Sequence, residues 1–267
     1  MEASKEIQKP SSASAVRTLA IDIGGSGIKT VVLDSSGQPL CERLRVPTPR
    51  PAVPKAILKV IEEMVKQQGK FERASVGFPG VVRNGVTETA FNLHPKWVGF
   101  PLAKELSKMF GKPVAAANDA DVQGFGSIKS DGVEPVITLG TGLGSALFVD
   151  GKLVPNLQMA HQPFRKGRTY EDYLGQKGLD KLGKKKWNKK LAEAIDLLRA
   201  QFNFDHLYIG GGNNRLLKLK LQPWAKTVSN DAGLWGGIAL WHKWTRAEHG
   251  PERAPRGQTA PPCPRTR

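Results

Sequence analysis

Two segments of this sequence share a pattern in which a buried strand runs into a glycine-rich turn and a second strand follows. The first turn spans Gly24–Gly27, and the second spans Gly140–Gly144, about 115 residues later. Glycine lets the backbone of such a turn approach a ligand closely, because no Cβ is in the way. Strands and helices alternate around the two turns, which predicts an α/β chain of two related halves with a cleft between them.

The composition is that of a globular chain, and it excludes several classes of protein. Apolar residues make up 39% of the 267 residues and charged residues 24%, and no apolar run is long enough for a membrane span. The first residues lack the apolar stretch of a secretory signal. Two cysteines, Cys41 and Cys263, are too few for a disulfide framework or a four-thiolate zinc site. We therefore expect a cytoplasmic protein with no membrane partner.

The net charge of +16 indicates attraction to polyanions such as nucleic acid, an anionic membrane or a phosphorylated substrate, although solubility alone would also explain it. Part of this charge lies in a basic run around Trp187. The run is interpreted either as a solvated helix face or as a track for a long phosphate chain. The candidate track residues are Lys184, Lys185, Lys186, Lys189 and Lys190.

Hydrophobic periodicity predicts a small α/β lobe at residues 17–117 and a large α/β lobe at residues 118–230. A final apolar helix at residues 231–245 is expected to pack back on the small lobe. Within the small lobe, a third strand is predicted at Leu40–Val46. Residues 1–16 and 246–267 have little to bury, so both segments are predicted to be disordered.

Asp22 lies near the end of the first strand, just before the first glycine turn. Its carboxylate could hold Mg²⁺, usually through water, because Mg²⁺ keeps part of its hydration shell. The turn is not a Walker A loop, and a tight hairpin would explain the pattern equally well. The candidate phosphate-binding residues of both turns are Asp22, Gly24, Gly25, Ser26, Gly27, Lys29, Gly140, Thr141, Gly142 and Gly144.

Two polar residues, Asn118 and Asp119, follow a predicted strand at the edge where α/β proteins bind ligands. A carboxylate there can accept the proton of a substrate hydroxyl, and an amide can hydrogen-bond neighbouring hydroxyls. The alternative is a cap for the next helix, which Asp119 or Asp121 would form. A later strand ends at Gly210–Gly212, which is interpreted as a nucleotide-binding turn or as a plain turn.

The order of these segments resembles the ROK family of sugar kinases in the actin-like ATPase superfamily, above all its polyphosphate-using glucokinases and glucomannokinases. The resemblance runs from about Thr18 to Trp241. It implies an α/β actin-like (ribonuclease H-like) kinase fold of two lobes with a central cleft, Asp119 as catalytic base, Mg²⁺ near Asp22 and a homodimer. The implied adenosine-binding residues are Gly210, Gly211 and Gly212. The implied sugar-binding residues are Pro79, Gly80, Asn118, Asp119, Gln158, His161 and Glu171.

The chain departs from the family pattern at two places. Most bacterial members carry a zinc motif of three cysteines, but no cysteine lies between Cys41 and Cys263, so no structural zinc is expected. The family's Glu-x-Gly-His segment begins here with Gln158, which keeps an acceptor oxygen but loses the charge. Because charge-assisted hydrogen bonds are stronger than neutral ones, we expect weaker sugar binding or an altered sugar preference. Glu171 would partly compensate.

The leading hypothesis is a kinase that transfers a phosphoryl group from inorganic polyphosphate or ATP to the 6-hydroxyl of glucose, with mannose as a further acceptor. One alternative is an ATP-only kinase of the same fold. Another is a sugar- or polyphosphate-binding relative whose catalysis is impaired by Gln158. A sugar-sensing repressor would need a helix-turn-helix segment, for which the roughly 17 residues before the first strand are too few, so no nucleic-acid partner is expected.

Overall fold

The structure, a computed structural model, describes residues 16–229 and 232–247. Two five-stranded sheets carry the fold. The strands of the first sheet are β1 (Thr18–Ile23), β2 (Gly27–Leu33), β3 (Leu44–Pro47), β4 (Arg73–Phe78) and β7 (Val114–Asn118). Those of the second are β8 (Val133–Leu139), β9 (Leu143–Val149), β10 (Lys152–Val154), β13 (Leu207–Gly210) and β14 (Ala225–Thr227). Two small hairpins are formed by β5 (Val82–Arg83) with β6 (Val86–Thr87) and by β11 (Pro163–Arg165) with β12 (Arg168–Thr169).

The two sheets share one arrangement. Their strand orders are β3-β2-β1-β4-β7 and β10-β9-β8-β13-β14. In each sheet the first three strands pair antiparallel and the last two add in parallel. The repeated strand–turn–strand pattern of the sequence corresponds to β1–β2 in the first sheet and to β8–β9 in the second.

In the part of the chain that the structure describes, six α-helices complete a five-layer arrangement. They are α1 (Pro54–Val65), α2 (Leu102–Phe110), α3 (Asp119–Phe125), α4 (Tyr170–Leu174), α5 (Gln176–Phe202) and α6 (Ala232–Ala247). Helices α1 and α2 cover the outer face of the first sheet, and α4 and α5 cover the outer face of the second. Helices α3 and α6 lie between the sheets, where α3 contacts both of them and α6 packs on β1 and β4.

Apolar periodicity explains which faces are buried. Ile57 and Ile61 point from α1 into the first core, where they meet alternate residues of the central strands such as Ile21 and Val76. Trp187 is fully buried in the second core, and its indole N–H donates to the carbonyl of Leu174 at 3.0 Å. Each sheet thus packs on its own apolar core.

One element prediction needs correction. The strand expected at Leu40–Val46 begins only at Leu44, because the Val32 N–H meets the Sγ of Cys41 at 3.4 Å and the regular ladder is interrupted there. The basic run lies on α5, whose helix is broken at Gly183 by a φ of 70°. Disorder is predicted at residues 1–16 and 246–267; of these the structure describes Val16, Arg246 and Ala247, the last two as the end of α6. The others, and Asp231 at the predicted start of the final helix, lie outside the described residues.

Candidate active site

A cleft of about 780 Å³ lies between the two sheets, within the size range of small-molecule sites. Both glycine turns line it from opposite lobes. The predicted site residues found in its lining are Asp22, Gly24, Gly25, Ser26, Gly27, Lys29, Pro79, Gly80, Asn118, Asp119, Gly140, Thr141, Gly142, Gly144, Gln158, His161, Glu171, Gly211 and Gly212.

Two carboxylates face each other across Gly77. Asp22 is near the end of β1, Gly77 is its direct partner on β4, and Asp119 begins α3. A Cβ on Gly77 would lie 3.5 Å from the Cα of Asp119 and 3.9 Å from Oδ1 of Asp22. The missing side chain therefore leaves an open space between the two acids.

Burial and, after it, the negative charge of Asp22 together raise the pKa of Asp119 to about 7, while the Ala120 N–H and the Lys29 ammonium oppose the rise. A carboxyl group with a pKa near the working pH can both take up and release a proton. Asp119 thus has the properties of a general base at neutral pH.

Asp22 is held by a cation on the neighbouring strand. The Nζ of Lys29 lies 2.6 Å from Oδ2 of Asp22, and the two residues are directly opposite in the β1–β2 ladder. Oδ1 of Asp22 is the oxygen that lies closest to the open space at Gly77. Mg²⁺ is usually bound by one or two carboxylates together with substrate phosphates and water, so Asp22 and the space beside it fit that ion.

Asn118, and not Asp119 or Asp121, caps α3. Its Oδ1 accepts from the backbone N–H of Ala120 at 2.9 Å and more weakly from that of Asp121 at 3.4 Å. Its Nδ2 donates to the carbonyl of Gly80 at 3.1 Å. The cap predicted at Asp119 or Asp121 is therefore wrong, because Asn118 is the residue with extended backbone angles at the helix start. Asn118 thus ties the Pro79–Gly80 turn to the start of α3, where Asp119 is the first residue.

The two glycine turns are closed by short backbone bonds and meet across the cleft. Gly24 N–H donates to the carbonyl of Gly27 at 2.9 Å, and Gly140 N–H donates to that of Gly142 at 3.0 Å. The hydroxyl of Thr141 is 3.4 Å from that of Ser26. Two sets of backbone N–H groups therefore border one narrow space, an arrangement suited to anionic oxygen atoms.

Three of the residues predicted for sugar binding, Gln158, His161 and Glu171, line the cleft from the large-lobe side, whereas Pro79 and Gly80 line it from the small lobe. His161 stacks on Phe91 from the small lobe, with ring centroids 3.8 Å apart. Oε2 of Glu171 accepts the Leu143 N–H at 3.1 Å, which ties that carboxylate to the second glycine turn. Gln158 lines the cleft close to them at the start of the short 3₁₀ turn Met159–His161.

Some predicted residues do not line the cleft. Gly210 ends β13 behind it, where a Cβ would lie 2.4 Å from the side chain of Gln123. The predicted lysine track lies on α5 outside the cleft, and Lys190 pairs with Glu193 at 2.7 Å. The remaining track lysines, Lys184, Lys185, Lys186 and Lys189, are exposed.

Several lining residues were not predicted from the sequence. They are Arg43 and Arg45 beside the first turn, Phe91 and Asn92 at the sugar end, and Gln123, Gln176, Asn213, Asn214 and Arg215 near Gly211 and Gly212. Arg45 could have been found from the hairpin register, because it lies opposite Lys29 in the β2–β3 ladder. No local signal points to Phe91, which reaches the cleft through the loop after β6.

The described residues contain neither a metal-binding cluster nor a membrane-spanning helix. No cluster of three or more histidine, cysteine, aspartate or glutamate side chains suited to a metal ion lies in the part of the chain that the structure describes. None of the described helices is both long enough and apolar enough to cross a membrane.

Comparison with solved structures finds the same architecture. The structure of an inorganic polyphosphate/ATP-glucomannokinase from Arthrobacter sp. strain KM superposes with a TM-score of 0.78 at 30% identity, covering 86% of this chain and 99% of that one. A ROK family glucokinase from Streptomyces griseus, solved with glucose and AMPPNP, gives a TM-score of 0.69 at 20% identity, over 84% and 98% of the two chains. Both support the actin-like α/β fold.

Comparison of sequences identifies the family. A polyphosphate glucokinase of Mycobacterium tuberculosis (strain ATCC 25618 / H37Rv) is 31% identical over 233 residues, or 84% of this chain and 86% of the relative. That of Mycobacterium leprae (strain TN) is 32% identical over 237 residues, or 82% and 73%. The profile of the ROK family matches residues 18–158, more than half of the chain. With the fold, the paired glycine turns and the polar cleft in agreement, the protein belongs to the ROK family.

Proposed function

We propose that the protein is a sugar kinase that transfers the terminal phosphoryl group of inorganic polyphosphate or ATP to the 6-hydroxyl of glucose, with mannose as a second acceptor. The observation that carries the proposal is the carboxylate of Asp119, whose pKa is raised to about 7, in a cleft bordered by two glycine turns. The names of the relatives, polyphosphate glucokinase and polyphosphate/ATP-glucomannokinase, support the same reaction.

The reaction needs one base and a place for the developing charge. Asp119 takes the proton of the sugar hydroxyl as its oxygen bonds to the terminal phosphorus. The bond between that phosphorus and the bridging oxygen breaks, and the bridging oxygen keeps the electron pair, which leaves ADP or a shortened polyphosphate. The backbone N–H groups of the turns at Gly24–Gly27 and Gly140–Gly144 stabilise the charge on the transferred group.

Mg²⁺ is part of this proposal. Asp22 would hold it, and the ion would supply neutralisation of the donor's phosphate charge. Lys29, 2.6 Å from Asp22, keeps that carboxylate oriented toward the cleft. Glu171, Gln158 and His161 would orient the sugar from the large lobe. The homodimer and the cytoplasmic location stay predictions of the sequence.

The exposed lysines of α5 are proposed to attract the outer part of a long polyphosphate chain. Asn188 lies among these lysines on α5, and its Oδ1 accepts the N–H of Lys218 at 2.7 Å. Helix α5 therefore lies beside a second basic segment, which begins at Arg215 in the lining of the cleft. Affinity that depends on such cations should fall with salt. A Lys184→Gln, Lys185→Gln, Lys186→Gln variant should therefore raise the KM for long polyphosphate and leave the KM for ATP unchanged.

The decisive experiment measures sugar 6-phosphate formation with glucose and with mannose. ATP and long-chain polyphosphate are supplied separately, with Mg²⁺, at low and high salt.

We expect Asp119→Asn to lower kcat by a hundredfold or more, since loss of a general base costs about 10²–10⁴ in rate. The temperature of thermal unfolding should stay near that of the parent. Asp131→Asn, which alters an exposed loop aspartate, is the matched control and should retain full activity. Near-normal turnover by Asp119→Asn would refute the base assignment, and no turnover of either donor by the folded parent would refute the kinase.

A further inference from the structure

One row of side chains crosses the first sheet and ends at an arginine. Asp22 pairs with Gly77 on one side and with Lys29 on the other, and Lys29 pairs with Arg45 on the edge strand. Residues directly opposite each other in neighbouring strands point to the same face of a sheet. All four residues line the cleft, so the row forms part of its wall from the reacting centre to its outer edge.

The guanidinium of Arg45 lies directly over the first glycine turn. A Cβ on Gly27 would be 3.2 Å from its Nε and 3.3 Å from its Nη2. A larger residue at position 27 would therefore force the guanidinium away from the turn. A second arginine supports the same turn from outside, because Nη2 of Arg50 donates to the carbonyl of Gly25 at 2.8 Å.

Arg45 differs from Lys29 in what it already binds. The ammonium of Lys29 is occupied by Asp22. Within residues 16–229 and 232–247, by contrast, the guanidinium of Arg45 forms neither an ion pair nor a hydrogen bond. An anion could therefore bind Arg45 without breaking an existing interaction, and a guanidinium can hold two phosphate oxygens at once.

The position of Arg45 distinguishes the two donors. The backbone positions of Gly77 and Arg45 are three strand spacings apart, which is roughly 14 Å at 4.7–4.9 Å per strand, and the Arg45 guanidinium reaches back to the end of the first glycine turn at Gly27. From the reacting centre, the triphosphate of ATP must run toward its adenosine and so away from this edge of the small lobe. Its adenosine is expected on the other lobe, where Gly211 and Gly212 line the cleft. A polyphosphate chain carries no nucleoside and can continue along the small-lobe wall.

We propose that Arg45 is a donor-selective subsite, which binds the phosphate groups of inorganic polyphosphate that lie beyond those shared with ATP. Arg43, which lines the cleft beside it, adds positive charge to the same edge. This inference rests on the proposed kinase function and deepens it. The phosphate groups of polyphosphate nearer the reacting centre would then bind the small lobe, and those farther out would reach the exposed lysines of α5.

The test compares Arg45→Gln with Arg83→Gln, which removes the same charge from an exposed arginine outside the cleft that pairs with Glu88 at 3.3 Å. With long-chain polyphosphate, Arg45→Gln should lower kcat/KM by about five- to tenfold, as expected for one charge-assisted contact in a solvated cleft. With ATP it should stay within twofold of the parent. Arg83→Gln should match the parent with both donors. An equal loss with both donors, or no loss with either, would overturn the proposal.

The salt dependence of the KM for polyphosphate gives a second test of the Arg45 contact. Each phosphate contact that is lost should reduce the slope of log KM against log salt by about 0.7, the value for single-stranded polyanions. The slope for polyphosphate should therefore be smaller in Arg45→Gln than in Arg83→Gln.

Failure of the donor assignment can be separated from failure of the subsite. If the parent protein turns over ATP but not polyphosphate, calorimetric titration with long-chain polyphosphate alone still tests the contact. Binding by the parent that weakens about fivefold in Arg45→Gln would support the subsite although polyphosphate is no substrate. Equal binding by the two proteins, or no binding by the parent, would show that Arg45 is not a polyphosphate site.

Discussion

Gly77 lies between the two carboxylates of the cleft, and its missing side chain is what keeps the space between them open. Asp22 and Asp119 come from different elements, β1 and α3, and approach the same point because β1 and β4 are neighbours. The space is bordered by acids on both sides, so a donor phosphate there needs cations nearby. Lys29 provides one of them.

Gly77→Ala tests that geometry. The added methyl group would lie 3.5–3.9 Å from Asp119 and Asp22, an ordinary packing distance, so the fold should tolerate it. It would occupy the space assigned to the transferred group, and we expect kcat to fall about ten- to hundredfold, since small displacements of reacting groups cost that much. Gly69→Ala, where nothing lies within 4 Å of the new Cβ, is the control. Full activity of Gly77→Ala would place the reaction elsewhere.

Asp121 is a second buried acid beside the base. Burial and, after it, the charge of Asp119 together raise its pKa to about 8. The folded protein therefore keeps this proton at neutral pH, whereas the unfolded chain releases it above about pH 4. Stability is lost as pH rises through that window, because the unfolded state then binds fewer protons than the folded state.

Asp121→Asn removes this loss, because an amide does not ionise. Relative to the parent, the free energy of unfolding of the variant should be unchanged near pH 4 and should gain about 1–3 kcal/mol by pH 8. Urea unfolding at several pH values measures the difference. A difference that is the same at pH 4 and pH 8 would show that Asp121 does not take up a proton on folding.

At the scale of elements, β4 and α6 are joined by one hydroxyl. Ser75 donates to the backbone carbonyl of Gly237 and accepts from the indole N–H of Trp241, the latter at 2.9 Å. Gly237 packs against Ser75 with no Cβ between them. This contact holds α6 to the sheet that carries Asp22, at the closed end of the cleft.

Ser75→Ala should lower the free energy of unfolding by about 1–3 kcal/mol, because it leaves buried polar partners without a hydrogen bond. Ser107→Ala removes an exposed hydroxyl that donates to the carbonyl of Lys112 and should cost less than about 0.5 kcal/mol. Urea unfolding measures both changes in free energy. If the two variants lose the same amount, the β4–α6 contact stabilises the protein no more than an exposed hydroxyl does.

At the scale of the whole molecule, two contacts between the lobes border the cleft. One is the pair of hydroxyls on Ser26 and Thr141, and the other is the stack of Phe91 on His161. The first contact lies at the phosphate turns and the second at the predicted sugar end. Lobes that close on a sugar exclude water and so limit hydrolysis of the donor.

Phe91→Ala tests the second contact. Its ring is 57% exposed, so its removal should change the free energy of unfolding by less than about 1 kcal/mol. Loss of the stack should leave His161 less well oriented and raise the KM for glucose about three- to tenfold, with little change in the KM for the donor. Val98→Ala, which truncates an apolar side chain that is 60% exposed, is the control. If the KM for glucose is unchanged in Phe91→Ala, the contact between Phe91 and His161 has no role in sugar binding.

Local patterns in the sequence were enough to predict the paired strand–turn–strand units, the cleft between two lobes and the Asn118–Asp119 pair. Residues close together in the sequence decide where strands alternate, where glycine turns form and where helices end. Local sequence patterns therefore predict these features. The ROK resemblance added roles for Asp119, Gln158 and His161. The length of the third strand was the weak point, because its start depends on a contact between Cys41 and Val32.

Only the tertiary structure decided which side chains meet. Strand order sets Asp22 beside Gly77 and Arg45 at the end of the same row, and helix packing turns the α5 lysines away from the cleft. Asn118 became the cap because its backbone, and not that of Asp119, is extended at the helix start. Such choices depend on contacts between residues far apart in the chain, which local periodicity does not encode. The sequence therefore determined the chemistry available to this protein, and the packing of the two sheets determined where that chemistry converges.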